Sequence, residues 1–168
     1  KNIVITGASR GIGLALVKWF SANHHKVWAL SRNTKPITQL NLPNVTVNAL
    51  DLTDQDAVVS WSQNEAPDTI DALINNAGKR VNKPFAETTQ SDFEAVVKVN
   101  SFALANVTRA LLKRLQPTGH VVNISSMGGI GGTSKFPGLA AYSSSKGAVS
   151  ILTELLAEEL KETGPSVN

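Results

Sequence analysis

Tyr142, the one tyrosine among 168 residues, stands four positions before Lys146 in Tyr142-Ser143-Ser144-Ser145-Lys146. The surrounding pattern predicts a helix, and residues four apart share one helical face. A phenol ionises at about pH 10 in water, so it serves as an acid or base near neutrality only where its phenolate is stabilised. A neighbouring ammonium supplies that stabilisation. The pair therefore points to proton transfer, although the same spacing also arises on helices that do no chemistry.

A second constellation sits near the start of the chain. An apolar run over 2–6 leads into Thr6-Gly7-Ala8-Ser9-Arg10-Gly11-Ile12-Gly13, and a helix-period pattern follows at once. Glycines between a strand and a helix let the backbone turn tightly and approach a pyrophosphate, while the helix N-terminus offers free N–H groups and a positive dipole end. Placement makes this segment a dinucleotide-binding candidate; glycine clusters elsewhere are ordinary turns.

Such residues need a frame. Short runs rich in Val, Ile and Leu at 2–6, 26–30, 45–50, 70–75 and 120–124 predict strands buried on both faces. Between them, helix-period patterns cover 12–23, 54–64, 91–115 and 140–162, and the proline-interrupted stretch 34–43 predicts a turn or a short helical piece. Strand alternating with helix implies right-handed crossovers and a parallel sheet with helices on both sides. The expected fold is thus α/β, a doubly wound three-layer α/β/α domain over 1–168. Ser91 and Glu94 fit a capping box for the long helix, and Pro117 with Gly119 would close it before the next strand. Residues 127–138, rich in Gly, Ser and Thr, predict a loop. Ser166-Val167-Asn168 reads as the opening of another strand, so the polypeptide is expected to continue.

Composition narrows the classes of function. With no cysteine there is no disulfide, thiolate metal site or cysteine nucleophile, a usage compatible with the expected cytoplasmic location. Of the histidines His24, His25 and His120, the adjacent pair sits at a predicted helix end, where solvated side chains or a contact with the helix C-terminus are ordinary, and no metal is expected. A net charge of +3 without a Lys/Arg block or an aromatic-interleaved basic stripe argues against nucleic acid as partner. No run of about 18 apolar residues predicts a membrane span.

Taken together, Thr6 to Gly13, Asn75-Asn76-Ala77-Gly78 after the fourth strand, Asn100 in the long helix, Ser126 after the fifth strand, and Tyr142 with Lys146 resemble the short-chain dehydrogenase/reductase family. The glycine spacing is that of its shorter, non-extended branch. The resemblance implies that Tyr142 is the general acid/base, that Lys146 favours its phenolate and holds the nicotinamide ribose, and that Ser126 hydrogen-bonds the substrate oxygen. Ser125 competes with Ser126, but Ser126-Met127-Gly128-Gly129 matches the family's Ser-x-x-Gly. By the same resemblance Asn100 anchors a water that relays protons from Lys146. Gly7, Ser9, Arg10, Gly11, Ile12 and Gly13 line the phosphates, Asp51 and Leu52 contact the adenine, and Asn76, Ala77 and Gly78 run beside the ribose and nicotinamide. Hydride transfer to a carbonyl leaves charge on oxygen, which Tyr142 and Ser126 would meet as donors. The long helices beginning at 91 and 140 would pair across a homodimer or homotetramer interface.

Cofactor choice is read at the end of the second strand. An acid there would bind ribose hydroxyls and repel a 2′-phosphate, but the residues present are Ser31 and Arg32. Arg32, with Arg10 nearby, suits a phosphate, so NADP(H) is expected. The expected activity is hydride transfer between NADP(H) and a small carbonyl or alcohol. The rival is an NADP(H)-binding sensor or scaffold of the same fold without turnover. Two features fall outside the family pattern's core: the 16 positions from Ser126 to Tyr142, a few more than is usual, and the basic trio Lys79, Arg80 and Lys83. The trio could meet an anionic substrate group or form a solvated basic loop.

Overall fold

Isoleucine, valine and leucine dominate the segments that become strands, and their branched side chains pack on both faces of a pleated sheet. The computed structural model describes residues 1–168. Its strands are β1 (Asn2–Thr6), β2 (Lys26–Ser31), β3 (Val45–Ala49), β4 (Ile70–Asn75), β5 (Leu115–Asn123) and β6 (Ser166–Val167). They form one sheet in the order β3-β2-β1-β4-β5-β6, and every pairing is parallel. The helices are α1 (Gly11–Ala22), α2 (Lys35–Thr38), α3 (Gln55–Asn64), α4 (Gln90–Val97), α5 (Ala103–Leu111) and α6 (Ala140–Leu160). This is the doubly wound Rossmann-like architecture that the alternating pattern predicts. No helix is long and apolar enough to cross a membrane.

Side-chain alternation along β1 splits the core in two. Val4 joins Leu30, Leu73, Val107, Leu111 and Val121 on one face, where α3 contributes Val58 and Trp61. Ile3 and Ile5 point the other way, onto Val17 of α1, Val27, Ala29 and Ile37. Ile3, Val4 and Ile5 are almost wholly buried, as strands covered on both faces must be. The winding reverses between β1 and β4, so the carboxyl ends of these two strands open a crevice at the point where ligands of such sheets bind.

Three local expectations are corrected. The cap of the long helix is not Ser91 with Glu94 but Thr89 with Asp92: Thr89 Oγ1 accepts from Asp92 N at 3.2 Å, and Asp92 Oδ2 accepts from Thr89 N at 3.0 Å. Both pairs have capping-box spacing, and the extended backbone that a cap needs falls at Thr89. The helix is also not continuous. Between α4 and α5 the residues Lys98–Phe102 form a π-helical turn, with Ala103 N–H donating to Lys98 O.

Finally, Pro117 and Gly119 do not end a helix; they lie inside β5. Leu115 pairs with Ile70, the register then slips, and His120 pairs with Ala72. At this irregularity the β4 backbone passes so close to Gly119 that a Cβ there would sit 2.9 Å from Asp71 O. The glycine serves close approach rather than helix termination.

Candidate functional site

The crevice is a cavity of about 420 Å³ lined by Gly7, Ser9, Arg10 and Gly11 of the first turn, by Ser31 and Arg32 after β2, by Asp51 and Leu52 after β3, and by Asn76, Ala77 and Gly78 after β4. Eleven of the thirteen positions expected to bind cofactor apart from Tyr142 and Lys146 therefore meet in one space. The other two sit elsewhere: Gly13 is buried behind the turn, and Ile12 is 58% exposed. Leu30, Leu50, Thr53 and Val99 also line the cavity, without having stood out in the sequence.

The glycines of the first turn are required by packing. Gly7 has φ +64°, and a Cβ there would approach Ala77 Cα to 2.7 Å. At Gly13 a Cβ would overlap Gly7 O and come within 2.5 Å of Asn76 Nδ2. The turn is thus pressed against the segment after β4. Hydrogen bonds stitch the two together: Asn76 Nδ2 donates to Thr6 O and Gly7 O, both at 3.1 Å, while Thr6 Oγ1 accepts from Asn76 N and Ala77 N, both at 3.0 Å. Thr6 was legible only as the residue that opens the glycine motif.

At the β2 and β3 ends, charge is mixed. Asp51 Oδ1 accepts from Thr53 N at 2.9 Å and from Thr53 Oγ1 at 2.8 Å. The Thr53 N–H chiefly holds the Asp51 carboxyl below its usual range, with the Thr53 hydroxyl and the positive charges of Arg32 and Lys98 adding to it. Arg32 is exposed at the rim, free to reach a group that enters the cavity.

Gly78 joins this cavity to a second, polar cluster. A Cβ on Gly78 would lie 3.6 Å from Asn100 Oδ1 and 4.0 Å from Lys146 Nζ. Asn100 is fully buried, and its amide is spent on protein partners: Oδ1 accepts from Lys79 N at 2.7 Å, and Nδ2 donates to Lys79 O at 3.0 Å and to Ser145 Oγ at 2.8 Å. Ser145 in turn donates to Tyr142 O at 2.7 Å. Sequence reading passed over Ser145, whose signal was only its place beside Lys146.

Lys146 is 3% exposed, on the face of α6 turned to the sheet. Its Nζ donates to Ile124 O at 2.5 Å and lies 5.9 Å from the centroid of the Tyr142 ring, within the range of a cation–π contact. Burial pushes the Lys146 ammonium below its ordinary value, because no carboxylate accompanies it out of water.

The two candidate serines separate cleanly. Ser125 Oγ donates to Lys146 O at 3.0 Å and meets Ser150 Oγ at 2.9 Å, which pins the end of β5 to α6. Ser126 Oγ only accepts, from Gly128 N at 3.3 Å, so its hydroxyl hydrogen is uncommitted. The turn after Ser126 reaches α6 because it lacks side chains. A Cβ at Gly128 would lie 2.8 Å from Ser143 Oγ, and one at Gly129 would lie 2.5 Å from the Lys146 carbonyl carbon. Asn100 and Lys146 therefore flank Gly78 at the end of the cavity, Tyr142 stands beside Lys146, and the turn after Ser126 packs on the same helix. All three of the basic trio are exposed; Lys83 is paired with Asp92 at 2.8 Å, whereas Lys79 and Arg80 form no ion pair.

Known proteins resemble this chain in sequence and in fold. Residues 1–168 match the family model described as short chain dehydrogenase. The chain is 34% identical to carbonyl reductase [NADPH] 2 of Sus scrofa over 94% of its length and 64% of the relative's. Among solved structures, ElxO with NADP bound superposes with a TM-score of 0.87 at 30% identity, covering 100% of this chain and 71% of the other. 4-Hydroxyisoleucine dehydrogenase complexed with NADH gives 0.86 at 31%, covering 100% and 73%. This chain belongs to the short-chain dehydrogenase family. It spans about three fifths of the length of the curated relatives it matches.

The buried ammonium has a thermodynamic signature. Unfolding returns Lys146 to the ordinary value of 10.5, so the unfolded chain holds the proton more tightly. Its contribution to stability therefore rises with pH, from the lowered folded value up to 10.5. Thermal denaturation across pH should show Lys146→Met melting no lower than the parent at neutral pH and lacking this alkaline rise. A Tm several degrees lower at neutral pH would mark the ammonium as a stabilising contact instead.

Proposed function

We propose that the whole protein is an NADP(H)-dependent oxidoreductase that interconverts a carbonyl and an alcohol, with Tyr142 as general acid/base. The observation that carries this reading is the desolvated Lys146 ammonium, 5.9 Å from the Tyr142 ring centroid and beside Gly78, where the cavity ends. A proton donor and a positive charge thus stand on one helical face where the cavity ends, the pairing that proton transfer to a substrate oxygen calls for. The nicotinamide cofactor supplies the hydride when bound. The chain's own residues do the rest: Tyr142 delivers a proton to the substrate oxygen, Ser126 donates a second hydrogen bond to it, and Lys146 holds the ribose.

The free hydroxyl hydrogen of Ser126 and the engagement of Ser125 support Ser126 as the substrate donor. Asn100 has one remaining lone pair on Oδ1 where it could anchor a relay water, since its N–H groups are committed. Its larger part is to fix the Lys79 segment and Ser145. Arg32 and Arg10 line the cavity where no acid follows β2, and this supports NADP(H) over NAD(H). The relatives divide on the point: the pig reductase is named for NADPH and ElxO holds NADP, whereas 4-hydroxyisoleucine dehydrogenase holds NADH.

A homo-oligomer is part of the same reading. Ile151 and Leu155, one turn apart on α6, are 65% and 55% exposed, and Phe102 in the π turn, an element that packs on α6, is 62% exposed. An apolar face of this kind suits a second copy of the chain.

In the full-length protein, Tyr142→Phe should lower carbonyl reduction by about a thousandfold while NADPH still binds, since a positioned acid contributes about 10²–10⁴. Equal turnover before and after would sink the mechanism, and binding without any turnover in the parent would favour a sensor. Arg32→Ala should lose affinity for NADPH about tenfold, one charge-assisted pair, and leave NADH unchanged; an unaltered ratio refutes the role of Arg32. Light scattering should give a dimer or tetramer that Leu155→Glu dissociates, and a monomeric parent would end the oligomer proposal.

A further inference from the structure

Lys83 connects the starts of two helices that carry site residues. Its ammonium pairs with Asp92 Oδ2 at 2.8 Å, and the same oxygen accepts from Thr89 N and Thr89 Oγ1, both at 3.0 Å, in the cap of α4. Its backbone N–H donates to Gly138 O at 3.0 Å. Gly138 immediately precedes Leu139, the N-cap of α6, and Tyr142 lies in the first turn of that helix. One residue thus holds the entrance of α4, the helix that leads to Asn100, and the entrance of α6.

The Gly138 end of this link tolerates no side chain. Gly138 has φ +82°, and a Cβ there would overlap the Asn82 side chain and approach Lys83 O to 3.4 Å. At the other end, the hydrogen bond from Lys83, with those of Thr89, holds the Asp92 carboxyl down at about 2. The Asp92 carboxyl is therefore ionised near neutral pH. An exposed ion pair of this type adds little to stability, so geometry is the role left for it.

We propose that Lys83 is a positioning residue: by clasping Asp92 with its side chain and Gly138 with its backbone, it sets where the connector from Ser126 to Tyr142 enters α6. The connector is the stretch whose length departs from the family pattern. Within it, Thr133 Oγ1 donates to Ile130 O at 2.9 Å and Lys135 Nζ donates to Ile130 O at 2.6 Å, so its middle closes on itself. A piece so closed is oriented by its ends. One end is the Ser126 turn packed on α6, and the other is the Lys83 clasp. Lys83 would then govern the distance between the two donors to the substrate oxygen.

This rests on the oxidoreductase reading for its catalytic consequence, so the test in the full-length protein has two arms. Amide hydrogen exchange of 127–142 should speed up about threefold or more in Lys83→Met and in Gly138→Ala, and return to the parent rate in Lys83→Arg. Steady-state kinetics should show kcat for carbonyl reduction down about tenfold in Lys83→Met, since small misplacement of reacting groups is costly, with the Kd for NADPH and the Tm unchanged and Lys83→Arg restored. Unchanged exchange in Lys83→Met overturns the clasp. So does faster exchange with kcat within twofold, or a Tm and NADPH affinity that fall together with kcat. A parent that reduces no carbonyl while its exchange responds as described would remove the oxidoreductase reading and leave the clasp standing.

Discussion

A single desolvated cation organises the far end of the cavity. Removing the Lys146 ammonium from water costs free energy that one carbonyl, that of Ile124, only partly offsets. The site exists because its surroundings hold the ammonium there regardless. Strand β5 must end at the right height to present Ile124, and α6 must lie close enough for Ser125 to bond the Lys146 carbonyl. That closeness demands Gly128 and Gly129, since a methyl group at either would collide with α6. The family's Ser-x-x-Gly spacing therefore has a steric meaning here: the serine is presented, and the glycine lets the turn dock on the helix that carries the lysine.

The same logic governs the other end of the cavity. The turn after β1 and the turn after β4 are pressed backbone to backbone, and Thr6 and Asn76 satisfy the peptide groups that this contact would otherwise strand. Two strands adjacent in the sheet but far apart in sequence are thereby locked at their carboxyl ends. The cavity is built on these joined ends. It is more open at the rim, where Arg32 is exposed and Asp51 is tied to Thr53.

Much of this was legible in the sequence because the decisive patterns are local. Four-residue spacing on a helix predicted that Tyr142 and Lys146 share a face, and buried strands announced themselves as short branched runs. The failures are equally physical. Thr89 with Asp92 and Ser91 with Glu94 carry the same spacing, and the choice between them depends on the path of the preceding chain. Pro117 and Gly119 punctuate helices and irregular strands alike, so only the packing of β4 against β5 decides their meaning. Lys83 looked like one of three solvated cations because its partners, Asp92 and Gly138, lie 9 and 55 positions away. The π turn at Lys98–Phe102 left no mark, since its residues are ordinary helix formers.

That π turn has a consequence for pitch. Val96, Asn100, Leu104 and Thr108 are all buried, at a strict interval of four. In a regular α-helix of 3.6 residues per turn such a row drifts about 40° per step, so its last member would point well away from its first. Five residues of wider winding take up part of the drift. The row stays aligned, and the helix meets the end of β4 and the segment that follows it at two separate heights: Thr108 Oγ1 accepts from Asn75 Nδ2 at 3.0 Å, and Asn100 grips the Lys79 backbone. The helix thus works as a ruler whose graduations are set by its winding. Regular pitch through these residues, with every side chain kept, would lose one of the two marks.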